Sequence, residues 1–79
     1  MTYPTNNDAM ITFELPTLID EASDTEYYIA HSKNGRDLSK PLWQIKRIWK
    51  IGTVWKTGYP DGNQNFEFVW DDRYSYIYI

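Results

Sequence analysis

The chain has 79 residues, a formal net charge of −3, no cysteine and one histidine, with four Trp, seven Tyr and three Phe. That length allows one domain, and the missing cysteines exclude a disulfide framework or a Cys/His zinc site as its staple. No apolar run approaches the roughly 18 residues of a membrane span, and no charged-then-apolar leader stands at the start, so neither a membrane nor a secretory signal is expected.

Residues 1–7 read as an unstructured arm. Residues 8–15 alternate, with Ile11, Phe13 and Leu15 on one side and Thr12 and Glu14 on the other, the pattern of a half-buried strand that Pro16 ends. Thr17 to Ser23 is expected to make a helical turn, with Thr17 as its N-cap and Asp20 and Glu21 near the positive end of its dipole. Residues 25–31 form a second strand that puts Tyr27, Ile29 and His31 on one face.

Ser32 to Lys40 is a polar loop around Asn34-Gly35, and Pro41 blocks any helix running back into it. Leu42 to Ile51 is a long apolar-rich strand. Strict alternation would set Arg47 among Trp43, Ile45 and Trp49, so a β-bulge near Lys46–Arg47 is expected to return Ile48 to the core. Thr53 to Thr57 continues as a strand after a kink at Gly52, and residues 58–62 are a turn with Pro60 at its second position. Residues 65–72 fit one helical turn or a strand equally well. Tyr74 to Ile79 alternates cleanly and is expected to be a C-terminal strand.

The expected architecture is all-β: a small antiparallel barrel or sandwich of five to six short strands. Residues 1–24 form an N-terminal arm or strand ordered by a partner, and residues 25–79 form the compact domain. The predicted core is Trp43, Ile45, Ile48, Val54, Phe66, Val69 and Trp70. Fourteen rings exceed what so small an interior can take, so some must lie on the surface, where a patch marks a partner.

Charge divides the chain into blocks. Residues 1–26 hold six acids and no base; residues 33–56 hold seven bases and one acid; the remainder holds four acids and Arg73. Such segregation attracts acidic to basic segments, within one chain or between copies.

The candidate chemical sites are thin. Asp71 and Asp72 are adjacent carboxylates, but neighbours on a strand point to opposite faces, and as turn residues they cap backbone N–H groups while Arg73 pairs with a carboxylate. His31 lacks the companions that a metal site or a triad needs. No catalytic residue, metal ligand or cofactor is assigned, and the chain reads as non-enzymatic. Trp49 and Trp55 interleave with Lys46, Lys50 and Lys56 as in a single-stranded nucleic-acid groove, although a sequence pI near 4.9 argues against a nucleic-acid partner. Tyr59, Asp61, Asn63, Gln64 and Asn65 would suit a sugar, and equally suit a turn.

One stretch carries a resemblance. Trp43-Gln44-Ile45-Lys46-Arg47-Ile48, then Asp61-Gly62-Asn63, Asn65-Phe66 and Val69-Trp70-Asp71-Asp72-Arg73, followed by Ser75 and a short Tyr-bearing segment, resembles a family of small bacteriophage virion structural proteins. Tyr28-Ile29-Ala30 and the loop from Ser32 to Lys40 match its earlier elements, so the likeness covers about residues 26–79. The loop departs from the pattern by carrying Lys33, Arg36 and Lys40 in place of a Pro-Gly pair. Phe68 stands where a polar residue is usual, and residues 1–25 are poorly covered. The resemblance implies a component of the head, neck or tail of a particle assembled in the host cytoplasm. Its partners would be other virion proteins and further copies of itself. Strand addition would engage Ile11 and Phe13 in the arm, Tyr74, Tyr76 and Tyr78 at the C-terminus, and the rings of Tyr59 and Phe68. The alternatives left open are the Trp/Lys nucleic-acid module and a glycan-binding module.

Overall fold

A computed structural model describes residues 16–79. They form one open antiparallel sheet of five strands: β1 (Thr17–Ser23), β2 (Glu26–Ser32), β3 (Pro41–Ile51), β4 (Val54–Gly58) and β5 (Phe68–Val69). The order is β1-β2-β3-β4, with β5 also pairing β3. A 3-10 helix, Trp70–Ser75, follows β5 directly. The all-β class is as expected, but the sheet closes into neither barrel nor sandwich. The predicted strand at 8–15 lies outside the described residues.

Thr17 to Ser23 is a strand and not a helical turn. A segment this short has too few intrahelical bonds to hold itself. In the sheet it pairs residue by residue with β2, from Thr17 opposite His31 to Glu21 opposite Tyr27, with one irregularity between Glu21 and Ser23. Among the described residues the sheet therefore begins at Thr17, and the predicted domain boundary at residue 24 falls in the turn joining β1 to β2.

No bulge interrupts β3 near Arg47. Its register with β2 runs unbroken from Glu26 opposite Trp49 to Ser32 opposite Trp43. Arg47 stays on the packed face because its charge is matched there. Its Nε donates to Glu26 Oε2 at 2.8 Å, its second guanidinium nitrogen lies 2.7 Å from the same oxygen, and its plane covers the Trp49 ring at 4.5 Å. Ile48 consequently points to the opposite face.

The β3–β4 hairpin turns at Gly52, whose φ of 63° is the left-handed value that a two-residue hairpin loop asks of its first central position. The hairpin tip overhangs the end of β2, which leaves Val54 exposed and outside the core predicted for it. Beyond β4, Pro60 and Asp61 form the centre of a turn in which Gly62 N–H donates to Tyr59 O at 2.9 Å. Asp61, with φ of 51°, takes the left-handed position beside Gly62.

Tyr74 to Ile79 is not a continuous strand. Tyr74 and Ser75 close the 3-10 helix, where Ser75 Oγ donates to Asp72 O at 2.6 Å. Tyr76 leaves the helix in extended backbone, with φ of −83° and ψ of 154°, and the tail beyond it pairs with the turn after β4. Ile79 and Tyr59 exchange backbone bonds of 3.0 and 3.1 Å, and Asp61 N–H donates to Ile77 O at 2.7 Å. A Cβ on Gly58 would stand 3.1 Å from the Ile79 backbone, so glycine is what lets this tail lie so close.

The core lies on one face of the sheet. Tyr28, Ala30, Trp43 and Ile45 meet Trp70 and Tyr78 from the helix and tail, with Leu18, Trp49, Phe68 and Tyr76 packed around them. Of the predicted core, Trp43, Ile45 and Trp70 are buried, and Phe66, Val69 and Ile48 are half-buried.

Candidate interaction surface

The two faces of the sheet follow from register. One carries Leu18, Asp20, Tyr28, Ala30, Trp43, Ile45 and Arg47. The other carries Thr17, Ile19 and Glu21 on β1; Tyr27, Ile29 and His31 on β2; Gln44, Lys46, Ile48 and Lys50 on β3; and Trp55 and Thr57 on β4. The helix and tail cover only the first face.

The helix is fixed to that face by a charge pair reaching across the chain. Arg73 Nε donates to Asp20 Oδ2 at 2.9 Å, and the Tyr74 hydroxyl donates to the same oxygen. The Arg73 guanidinium also covers the rings of Trp70 and Tyr74, at 4.3 and 4.6 Å. The Tyr74 hydroxyl, and after it Arg73, hold the Asp20 carboxyl below its ordinary range against the opposing effect of burial. So Arg73 pairs with a carboxylate, as expected of it. The acidic and basic blocks meet within one chain at Glu26–Arg47, and Asp20 pairs with Arg73, the one base of the last block.

The face that no other described residue covers is unusually apolar. Antiparallel sheets that face water on one side normally set polar residues there. Here Ile19 lies opposite Ile29, and Tyr27 lies opposite Ile48. Trp55 meets Tyr27 edge-on at 6.0 Å between ring centroids. Ile19 is 67% exposed and Trp55 46%; Tyr27, Ile29 and Ile48 are half-buried. Bases border this stripe on the β3 side, with Lys46 over the Tyr59 ring at 5.8 Å and Lys50 over Trp55 at 5.6 Å. The exposed acids Glu21 and Asp24 border it on the β1 side.

The residues read from sequence as partner-binding fall mostly elsewhere. Ile11 and Phe13 lie outside the described residues. Tyr78 is buried, and Phe68 and Tyr76 pack against the core as an edge-to-face pair at 5.2 Å. The Tyr78 hydroxyl donates to Arg73 O at 2.7 Å, and the Tyr76 hydroxyl accepts the Val69 N–H at 2.9 Å, so both phenols serve the fold. Tyr74 is exposed beside Asp20, and Tyr59 is half-buried under Lys46.

The five residues of the alternative nucleic-acid surface do not share a face. Lys46, Lys50 and Trp55 belong to the open side, while Trp49 and Lys56, opposite each other in register, belong to the packed side. In the polar loop, Asn63 donates to Glu67 and accepts from Asn65 N–H at 2.8 Å, and Gln64 O accepts from Gln44 at 2.7 Å. Asn63 takes part through its side chain, whereas Gln64 and Asn65 take part through their backbone. His31 Nδ1 lies 3.1 Å from Thr17 Oγ1, on the open face. Among the described residues no group of His, Cys, Asp or Glu converges on a point where a metal ion could sit, and no helix is long and apolar enough to cross a membrane.

The reading from sequence missed Ile19 and assigned Ile48 to the core. Ile19 was hidden by taking β1 for a helix, although Leu18, Asp20 and Ala22 alternate with Thr17, Ile19 and Glu21 as strand faces do. No family model, curated protein or solved structure matches this chain.

Proposed function

We propose that this chain is a non-enzymatic structural component of a bacteriophage particle, acting by docking on other particle proteins or on further copies of itself. The observation that carries the docking role is the single-layer sheet with an apolar face that no other described residue covers. Five large apolar side chains stand where a free-standing sheet would present polar ones. The particle itself comes from the likeness of residues 26–79 to small virion proteins, above all the Trp43–Ile48 and Val69–Arg73 segments. These segments also do defined work in the fold: the first supplies the central strand, the second supplies β5 and the anchored helix.

Strand addition remains available at the outer edges of β1 and β4, which no other described strand pairs. The C-terminal segment is committed to Tyr59–Asp61 and is not free to add to a neighbour.

Quantitative mass spectrometry of the purified particle encoded with this chain tests the reading. The expected result is a fixed stoichiometry against the most abundant shell protein. Comparable abundance indicates decoration of the shell, and about six to a few dozen copies a neck or tail position. Absence from the particle overturns the proposal.

A further inference from the structure

We infer that the open face of the sheet is a self-docking surface, on which a second copy of this chain sits face to face about a two-fold axis running parallel to the strands. The inference rests on the structural role proposed above only for its biological setting; the interface itself is argued from the sheet.

The apolar stripe supplies the driving force. Ile19, Tyr27, Ile29, Ile48 and Trp55 cross all four main strands on one side. Removing such residues from water stabilises association at roughly 25 cal/mol per Å² before the costs of association are counted.

Charge selects both the occupant and the axis. The face is acidic at one border, with Glu21 on β1 and Asp24 in the turn after it, and basic at the other, with Lys46 and Lys50 on β3. A second copy therefore carries the complement this face needs. A two-fold axis parallel to the strands lays the β1 side of one copy over the β3–β4 side of the other. Glu21 and Asp24 then approach the partner's Lys50, and Ile48 approaches the partner's Tyr27. An axis across the strands through the Tyr27–Ile48 row would instead set Lys46 against the partner's Lys50, a like-charge meeting that disfavours that arrangement. The chosen axis yields an aligned two-layer sandwich, the usual way two sheets cover each other. It is also isologous, so it closes at two copies and leaves the edges of β1 and β4 free for other contacts.

Area sets the strength. Four strands at about 4.8 Å spacing and seven residues at about 3.4 Å give a plane of about 460 Å² per copy. That is below the roughly 800 Å² per partner of a standard interface, so the isolated dimer should be weak and concentration-dependent.

Sedimentation equilibrium on the full chain, from low micromolar to several hundred micromolar, tests this. The expected result is a reversible monomer–dimer equilibrium. Ile19→Lys, at an exposed position that tolerates a charge, should raise the dimer dissociation constant at least tenfold while leaving the melting temperature of the dilute monomer unchanged. Glu21→Lys and Lys50→Glu should each weaken the dimer several-fold, and the double reversal should restore it. The inference is overturned by a monomer at every concentration, by a dimer indifferent to Ile19→Lys, or by a double reversal that fails to rescue. It is also overturned if Ile19→Lys lowers the melting temperature of a strict monomer, which would mean that the chain covers this face from within. None of these outcomes bears on whether the protein is found in a particle, which mass spectrometry decides separately.

Discussion

The two faces of the sheet are built from the same four strands, yet they have opposite fates. On one, Trp43 and Ile45 of β3 and Ala30 of β2 are sealed beneath Trp70 and Tyr78. On the other, one residue further along each strand, Ile29, Ile48 and Tyr27 have no second layer above them among the described residues. Side-chain hydrophobicity alone does not separate the faces. What separates them is a short covering unit, the 3-10 helix and tail, and the Asp20–Arg73 pair that fastens it to one side. A single layer becomes a core only where something is tied down over it.

The sharpest way to break the comparison is to truncate the same residue type on each face. Trp43 is essentially buried, and its Nε1–H donates to Asp37 O at 3.0 Å across the base of the polar loop. Trp43→Ala removes a buried ring and leaves a cavity, and should cost about 3–5 kcal/mol, most of the stability that a domain of this size commands. Trp55→Ala removes a ring that water already reaches, and should cost under about 1 kcal/mol in the dilute monomer. Urea unfolding of both variants at low concentration reads the difference. Equal losses would mean that the open face is covered after all.

The next effect concerns the fastening. Asp20→Asn keeps the shape of the side chain but removes the charge that Arg73 and the Tyr74 hydroxyl share. With about four-fifths of both side chains shielded, the expected loss is about 1–2 kcal/mol, more than an exposed pair would give. The loosened helix should show first as faster hydrogen exchange at Trp70–Ser75, ahead of β2 and β3. Uniform acceleration across the sheet would mean that the helix and sheet unfold as one unit.

Alkaline pH probes the packed face through its phenols. Burial, helped by the hydrogen bond to Glu26 Oε2 at 2.8 Å, pushes the Tyr28 hydroxyl up to about 12 from its ordinary 10.0. Burial raises Tyr78 as well. A phenol whose pKa is higher in the folded chain favours folding fully below pH 10. It surrenders that contribution as pH climbs through the folded value, because the unfolded phenol has already ionised. Stability should therefore fall between pH 10 and 12, and Tyr28→Phe should flatten the fall. Denaturant midpoints at pH 9, 10 and 11 for both proteins measure it.

Much of this was legible from residues alone, and the failures share a cause. The strands at Glu26–Ser32 and Pro41–Ile51 follow from alternation and from the turn chemistry on either side. β1 was misread because its Thr and acids also suit a helix start; only pairing with β2, a non-local fact, decides the matter. The expected bulge assumed that Arg47 could not lie among rings, when Glu26 on the next strand neutralises it. The C-terminal alternation of Tyr74, Tyr76 and Tyr78 was real, but Tyr74 is drawn into a helix by Asp20, fifty-four residues away. The open face was half visible: Tyr27 and Ile29 share a side by period two, but whether that side is packed or bare depends on where the helix lands.

The smallest effect has the opposite sign to the rest. Ser32 is fully buried across from Trp43, and its hydroxyl has no hydrogen-bond partner among the described residues. A buried hydroxyl without a partner costs folding about 1–3 kcal/mol that an alanine would not, offset in part by the small void its oxygen leaves. Ser32→Ala should therefore be neutral or stabilising by up to about 1 kcal/mol, whereas Thr57→Ala on the exposed side of β4 should stay within about 0.5 kcal/mol of zero. Thermal melts of the two variants place the packed face and the open face on one scale. A clear loss at Ser32 would mean that its hydroxyl is held by a partner outside the described residues, an enclosed water among them.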